Sequence, residues 1–155
     1  HKLSHCGSHA MDTMRMESGF LHWGHDISPE ENQYEAKLNF AISYKKKIDF
    51  IGKKNLLKIK DKKRNKRFVM LTLKDNKPGH PLLLHEEPIY LDNKIIGRTT
   101  SGNHSFNYKK NLSFGYIKSD FSDEELLSKK LYIEVAKKKY PAIIEIKPLK
   151  KTSFS

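Results

Sequence analysis

The sequence predicts an α+β chain that is mainly β, with an antiparallel β-barrel filling its C-terminal part. Three observations carry this expectation. Apolar side chains recur at helical spacing near the start of the chain. From Arg67 onward the texture changes to short β-rich runs separated by turn residues. Asp92-Asn93 lies between two such runs, as a two-residue hairpin loop would. Several short strands at this spacing favour a closed barrel or a sandwich, because closure removes edges that would otherwise pair with other chains.

In chain order, residues 3–17 predict a helix: Cys6, Ala10 and Met14 fall four apart on what would be its buried face, and Gly19 follows as a C-cap. The aromatic and His-rich run from Phe20 to Ile27 fits neither simple period and reads as a turn lined by large side chains. Ser28-Pro29-Glu30-Glu31 has capping-box spacing with Pro at the first helical position, which predicts a short helix. Leu38, Phe40, Ile42 and Tyr44 alternate with smaller or polar residues, the period-two pattern of a strand. Residues 53–60 suit a short amphipathic helix, and the polar run 60–66 reads as a linker. A domain boundary is placed there, giving units 1–62 and 63–148 and a tail 149–155. Strands are predicted over 67–73, 88–91, 94–100, 113–117, 130–136 and 141–146, with a helical turn over 123–128.

Composition bounds the function. With 155 residues the chain is large enough to bury a core. Hydrophobic residues make up 37% and charged residues 31%, and no window approaches the roughly 18 apolar residues of a membrane span, so no membrane partner is expected. Cys6 is the single cysteine and no secretory leader precedes it, which points to a reducing, cytoplasmic compartment. The sequence opens on His1 rather than Met, as the tail of a longer protein would. The net charge of +12 invites a nucleic-acid reading, but the 30 basic residues include only four arginines. Base-edge readout and bidentate phosphate binding favour arginine, so the lysines read as solvated surface and no nucleic-acid partner is expected. A basic nucleic-acid-binding barrel is the rival of a different class, and a steep salt dependence would reveal it.

The self-contained chemistry is sparse. His5 and His9 are four apart, and His22, His25 and Asp26 cluster, but no third ligand at a motif spacing completes a zinc site; surface histidines are the plainer reading. Cys6 reads as a small buried hydrophobe beside Ala10. Gly97-Arg98-Thr99-Thr100-Ser101-Gly102 lacks the glycine spacing and lysine-hydroxyl end of a phosphate loop and reads as a strand leaving through a tight turn. No nucleophile elbow or triad is present, and no catalytic or metal-binding residue is assigned.

Read together, Asp12-Thr13-Met14-Arg15-Met16-Glu17-Ser18-Gly19-Phe20, His22-Trp23-Gly24-His25-Asp26-Ile27 and Glu35-Ala36-Lys37-Leu38-Asn39-Phe40 resemble a signature of the glycine cleavage T-protein (aminomethyltransferase) family. Asp49-Phe50-Ile51-Gly52-Lys53, Lys66-Arg67-Phe68-Val69, the 97–102 run and Ser113-Phe114-Gly115-Tyr116-Ile117 resemble later elements of that family in the same order. The His-Trp-Gly-His-Asp version and the phrase 94–102 look most like the folate-binding C-terminal part of dimethylglycine and sarcosine dehydrogenases.

The resemblance implies a C-terminal barrel preceded by the α/β end of a folate-binding domain, with tetrahydrofolate as cofactor and FAD confined to an upstream domain. It implies demethylation of a small N-methyl amine with the one-carbon unit passed to folate. A stand-alone aminomethyltransferase working with a lipoyl carrier protein is the alternative. Phe20 and Phe40 fall where the family places apolar folate contacts, with plain core packing as their other reading. Trp23 falls at a family tyrosine, and Arg67 matches an arginine that serves either a salt bridge or a ligand. Met11 stands where the family has an arginine, Gln33 replaces a proline and Lys37 a small residue. The family's catalytic aspartate belongs to its N-terminal half, so this stretch alone is expected to be inactive and to bind folate weakly or not at all.

Overall fold

The computed structural model describes residues 2–75, 77–118, 120–145 and 149. Helix α1 (Ser8–Glu17) opens the chain, α2 (Lys53–Ile59) follows, and six strands complete it: β1 (Lys66–Leu73), β2 (Pro88–Leu91), β3 (Lys94–Ser105), β4 (Lys110–Lys118), β5 (Leu131–Val135) and β6 (Lys138–Glu145). A third helix, α3 (Asp123–Ser128), lies between β4 and β5. The strands close into an antiparallel barrel in the order β1-β4-β3-β2-β5-β6, with β6 pairing back onto β1. The chain is therefore mainly β, as its turn-punctuated second half predicts.

The barrel core follows the two-residue period of its strands. Val69, Leu71 and Leu73 of β1 point inward with Ile89, Ile96, Ile117, Ile133 and Ile144. Phe68 and Met70 point the other way and join Leu112, Phe114 and Tyr116 of β4 in a second cluster closed by Met16 of α1. Both β1 and β4 are thus buried on both faces, which explains why the run Phe68-Val69-Met70-Leu71 does not alternate in hydropathy. A capping box starts α3, with Glu125 N–H donating to Ser122 Oγ at 3.1 Å and Ser122 N–H to Glu125 Oε2 at 2.8 Å. It sets Leu126 into the barrel core.

The hairpin at Asp92-Asn93 forms, with Leu91 opposite Lys94 across it. The 97–102 run is not a strand exit. It lies inside β3, which continues to Ser105 through a bulge between Thr99 and Ser101. Its glycines are there for room: a Cβ on Gly97 would lie 2.0 Å from the Tyr116 carbonyl oxygen, and one on Gly102 2.5 Å from the Leu83 backbone.

The N-terminal third departs most from its sequence pattern. The helix begins at Ser8, and its buried residues are Thr13, Met16 and Glu17, whereas Met14 is 64% exposed and Cys6 is exposed rather than buried. Hydrogen bonding chose the face. Thr13 Oγ1 donates to the His104 carbonyl, and Glu17 accepts Ser105 Oγ at 2.6 Å, so two polar residues are buried where their partners lie. The helix ends as foreseen at Gly19 (φ 75°), in a Schellman pair of bonds from Gly19 N–H to Met16 O and from Phe20 N–H to Arg15 O.

Ser28 donates both its amide and its hydroxyl to Glu31 Oε2, but the Glu30 amide rather than that of Glu31 meets Ser28 Oγ, and no helix follows. Asn32 Oδ1 instead accepts from the Tyr34 and Glu35 amides, turning the chain back so that the Glu35 carbonyl takes Phe68 N–H at the start of β1. The strand expected over 38–44 is absent. Leu38 N–H bonds Gln33 O and Ile42 N–H bonds Asn39 O, local partners that a ladder would need free, and Asn39–Ala41 is a 3-10 turn. Helix α2 matches its prediction but buries none of its residues. Of the strand expected over 141–146 and the tail 149–155, Ile146 and residues 150–155 lie outside the described residues.

Gly102→Ala is expected to cost about 1–3 kcal/mol in urea unfolding, because backbone must move to admit the methyl group. Gly7→Ala, whose Cβ meets nothing within 4 Å, serves as the near-neutral comparison.

Candidate ligand-binding site

A buried carboxylate holds the first forty residues against the barrel. Asp26 is 1% exposed. Its Oδ2 accepts Arg15 Nη1 at 2.7 Å and the His22 amide at 2.9 Å, and its Oδ1 accepts Thr100 Oγ1 at 2.6 Å and Ser101 Oγ at 2.7 Å. Arg15 also donates Nη2 to Ser101 Oγ and Nε to Asp12. The Asp26 carbonyl accepts Tyr116 Oη at 2.8 Å. Burial, then the nearby Glu31, Asp26 and Glu35, push the Tyr116 phenol well above its ordinary range, so it stays a donor. With both its oxygens engaged, Asp26 has no lone pair placed for proton transfer, and its role is to join α1, the 22–26 turn, β3 and β4.

A cleft of about 740 Å³ runs beside this cluster, with charged side chains among its lining. Lys66 pairs with Glu31 across it and Arg98 with Glu86 at 2.9 Å. Burial raises the Glu31 pKa, but hydrogen bonds from Lys66 and Ser28 outweigh that and hold the carboxyl below its ordinary 4.5. These charges serve one another.

A different cavity, about 490 Å³, is mostly apolar and opens between the 18–21 turn, residues 36–40 and the outer face of β1. The C-cap of α1 delivers Phe20 to it, the 3-10 turn delivers Phe40, and the outward residues Phe68 and Met70 form its floor. Phe20 is 65% and Phe40 82% exposed, so two rings stand at a cavity mouth rather than in a core. Lys37, in a left-handed conformation (φ 56°), and Glu145 lie on the rim. Glu145 accepts Thr72 Oγ1 at 2.9 Å. The arrangement is a binding wall for a flat, largely apolar ligand.

Of the four residues singled out by sequence, the structure brings Phe20 and Phe40 together on this cavity. Trp23 pairs with Ile27 in an isolated bridge and is 65% exposed, outside the cavity lining. Arg67 also lies outside it and forms an ion pair with Asp123, Nη1 to Oδ1 at 2.7 Å. Sequence reasoning did not single out the floor residues Phe68 and Met70, although an unbroken apolar run on a barrel strand signals a second covered face. Among the described residues no three His, Cys, Asp or Glu converge as metal ligands would, and no helix is long and apolar enough to cross a membrane.

Comparison with known proteins places this geometry. A family model described as the glycine cleavage T-protein C-terminal barrel domain matches residues 66–151, and one described as the GCVT N-terminal domain matches residues 1–46. Human mitochondrial dimethylglycine dehydrogenase is 34% identical over 143 residues, which is 92% of this chain and 16% of that protein. An aminomethyltransferase of Listeria welshimeri is 32% identical over 145 residues, 94% of this chain and 38% of that protein. The crystal structure of the glycine cleavage system aminomethyltransferase T from Bartonella henselae superimposes with a TM-score of 0.75 at 22% identity, covering 90% of this chain and 37% of that one. The chain thus spans well under half the length of these relatives.

Asp26→Ala is expected to cost about 3–5 kcal/mol in urea unfolding, because it leaves Arg15 and two hydroxyls without their acceptor. Asp12→Asn, at a partly exposed pair, should cost less than about 1 kcal/mol. Because the folded Glu31 carboxyl titrates below 4.5, its stabilisation is complete above that pH and fades as pH falls through the folded value. The melting temperature of Glu31→Gln should therefore lie below that of the unaltered chain at pH 7, and the gap should close in acid below pH 4.5.

Proposed function

The chain belongs to the glycine cleavage T-protein family, and from that premise we propose that it forms one wall of a tetrahydrofolate site in an enzyme of folate-dependent one-carbon transfer. The observation that supports this best is the pair of exposed rings, Phe20 and Phe40, at the mouth of an apolar cavity of about 490 Å³. That volume falls within the range of small-molecule sites, and flat rings suit the face of a pterin or aminobenzoyl group. Tetrahydrofolate would supply the nitrogens that accept the one-carbon unit. The work of this chain is to hold its planar portion: Phe20 and Phe40 stack or edge against it, and Phe68 and Met70 close the floor and keep water from that face.

The finer reading is a dimethylglycine or sarcosine dehydrogenase-like enzyme, in which a small N-methyl amine is demethylated and the one-carbon unit passes to tetrahydrofolate. FAD would then belong to an upstream domain. The similarity to dimethylglycine dehydrogenase over 92% of this chain favours it. The aminomethyltransferase relatives support a second reading, a T-protein that receives its group from a lipoyl carrier. Upstream coding sequence separates the two, since a dinucleotide-binding glycine fingerprint there belongs only to the first.

Saturation-transfer NMR of the chain with tetrahydrofolate tests the shared core of both readings. Weak binding is expected, with transfer to the pterin and aminobenzoyl protons that is lost in Phe20→Ala and Phe40→Ala. Both side chains are exposed, so the two variants should unfold like the unaltered chain. Transfer that neither substitution reduces, or an unchanged KM for tetrahydrofolate when both substitutions are made in the full-length enzyme, overturns the proposal.

A further inference from the structure

Arg67 matches a family arginine that serves either a salt bridge or a ligand, and the structure leaves part of it unused. Its Nη1 carries the ion pair with Asp123, but its Nε and Nη2 are shielded from solvent and have no hydrogen-bond partner. Those two nitrogens form the side edge of a guanidinium, whose parallel N–H groups match the two oxygens of a carboxylate or phosphoryl group. A shielded donor without an acceptor is costly, and an entering oxyanion would remove that cost.

The surroundings favour a negative guest. Arg67 lines a pocket of about 350 Å³ with Lys60, Lys62, Lys63 and Arg64, against one carboxylate, Asp61. Lys63 is engaged by Asp120 at 2.8 Å. Two of the other cations are held in place rather than loose: Lys60 Nζ lies 5.8 Å from the Tyr44 ring centroid and Arg64 Cζ 5.2 Å from that of Tyr34. Tyr34 and Tyr44 are themselves joined hydroxyl to hydroxyl. Lys37 adds positive charge close by: partial burial first, and then the Arg67 guanidinium, lower its pKa, against an opposing pull from Asp123.

We propose that Arg67, with Lys60 and Arg64 carried on the Tyr34–Tyr44 pair, forms a binding site for a small, multiply charged oxyanion, borne as neighbouring carboxylates or as phosphoryl groups. The site lies outside the Phe20–Phe40 cavity, and it stands or falls independently of the folate reading.

Citrate and pyrophosphate are the probes. Titration of the full chain by calorimetry, with the Arg67 Nε–H resonance followed by NMR, should show binding that weakens with added NaCl and shifts that resonance. Arg67→Met should weaken binding at least about tenfold, the loss expected for a charge-assisted pair. Asp123→Asn keeps Arg67, removes the competing carboxylate, and should tighten binding. Citrate bound in preference assigns a carboxylate chain; pyrophosphate in preference assigns a phosphoryl ligand. If neither anion moves the Nε–H resonance, or if Arg67→Met binds as the unaltered chain does, the proposal is wrong and the lysines act only as a diffuse ion atmosphere. Should Arg67→Met fail to fold, the Nε–H shift and the Asp123→Asn titration decide alone.

Discussion

A carboxylate removed from water must be met by donors, and the Asp26 side chain draws them from three places at once. Arg15 comes from α1, the His22 amide from the adjoining turn, and Thr100 and Ser101 from β3, while Tyr116 of β4 donates to the main-chain carbonyl of the same residue. Glu17 repeats the device one turn along, accepting Ser105 Oγ and the Asn107 amide. The amphipathic stripe of α1 is weak by comparison, and of its apolar residues only Met16 is buried.

From that attachment the binding wall follows. Docking α1 against β3 and β4 sets Met16 into the outer cluster of β1 and β4, where Phe68 packs edge-on against Phe114 and Tyr116 at 5.1 and 5.7 Å between centroids. The Schellman ending of the helix then sets the direction in which Phe20 leaves, and the turns from Asn32 to Ala41 bring Phe40 to the same opening. The cavity is thus made by three segments far apart in sequence. The polar cluster keeps the fold together, and the apolar rings remain available at the surface.

Within the family motifs, the residues that build the scaffold and those that face a ligand are different side chains. The residues through which the chain most resembles its family, Arg15, Asp26, Thr100 and Ser101 among them, are engaged with one another in the buried cluster. They build the scaffold on which the site stands. The surface features that offer something to a ligand are the Phe20 and Phe40 rings and the unmatched edge of Arg67, single side chains whose meaning depends on what surrounds them.

The amino-acid order by itself determined a strand-rich second half that had to close as a barrel or a sandwich: β-branched and aromatic runs between turn residues leave few other ways to hide the strand edges, and Asp92-Asn93 and Gly19 punctuate the chain where their backbone preferences require. It also placed Phe20 and Phe40 as candidate contacts, through the motifs they belong to. Only the tertiary structure decided which face of α1 is buried, because Thr13 and Glu17 go inside for partners on β3 or just beyond it that no local pattern reveals. It likewise turned the alternating run after Leu38 into a 3-10 turn, since an alternating pattern makes a strand only where a neighbouring strand takes its amides, and here those amides bond within their own loop. Cavities and unpaired donors are properties of what lies nearby in space, and that proximity is set by the closing of the chain on itself.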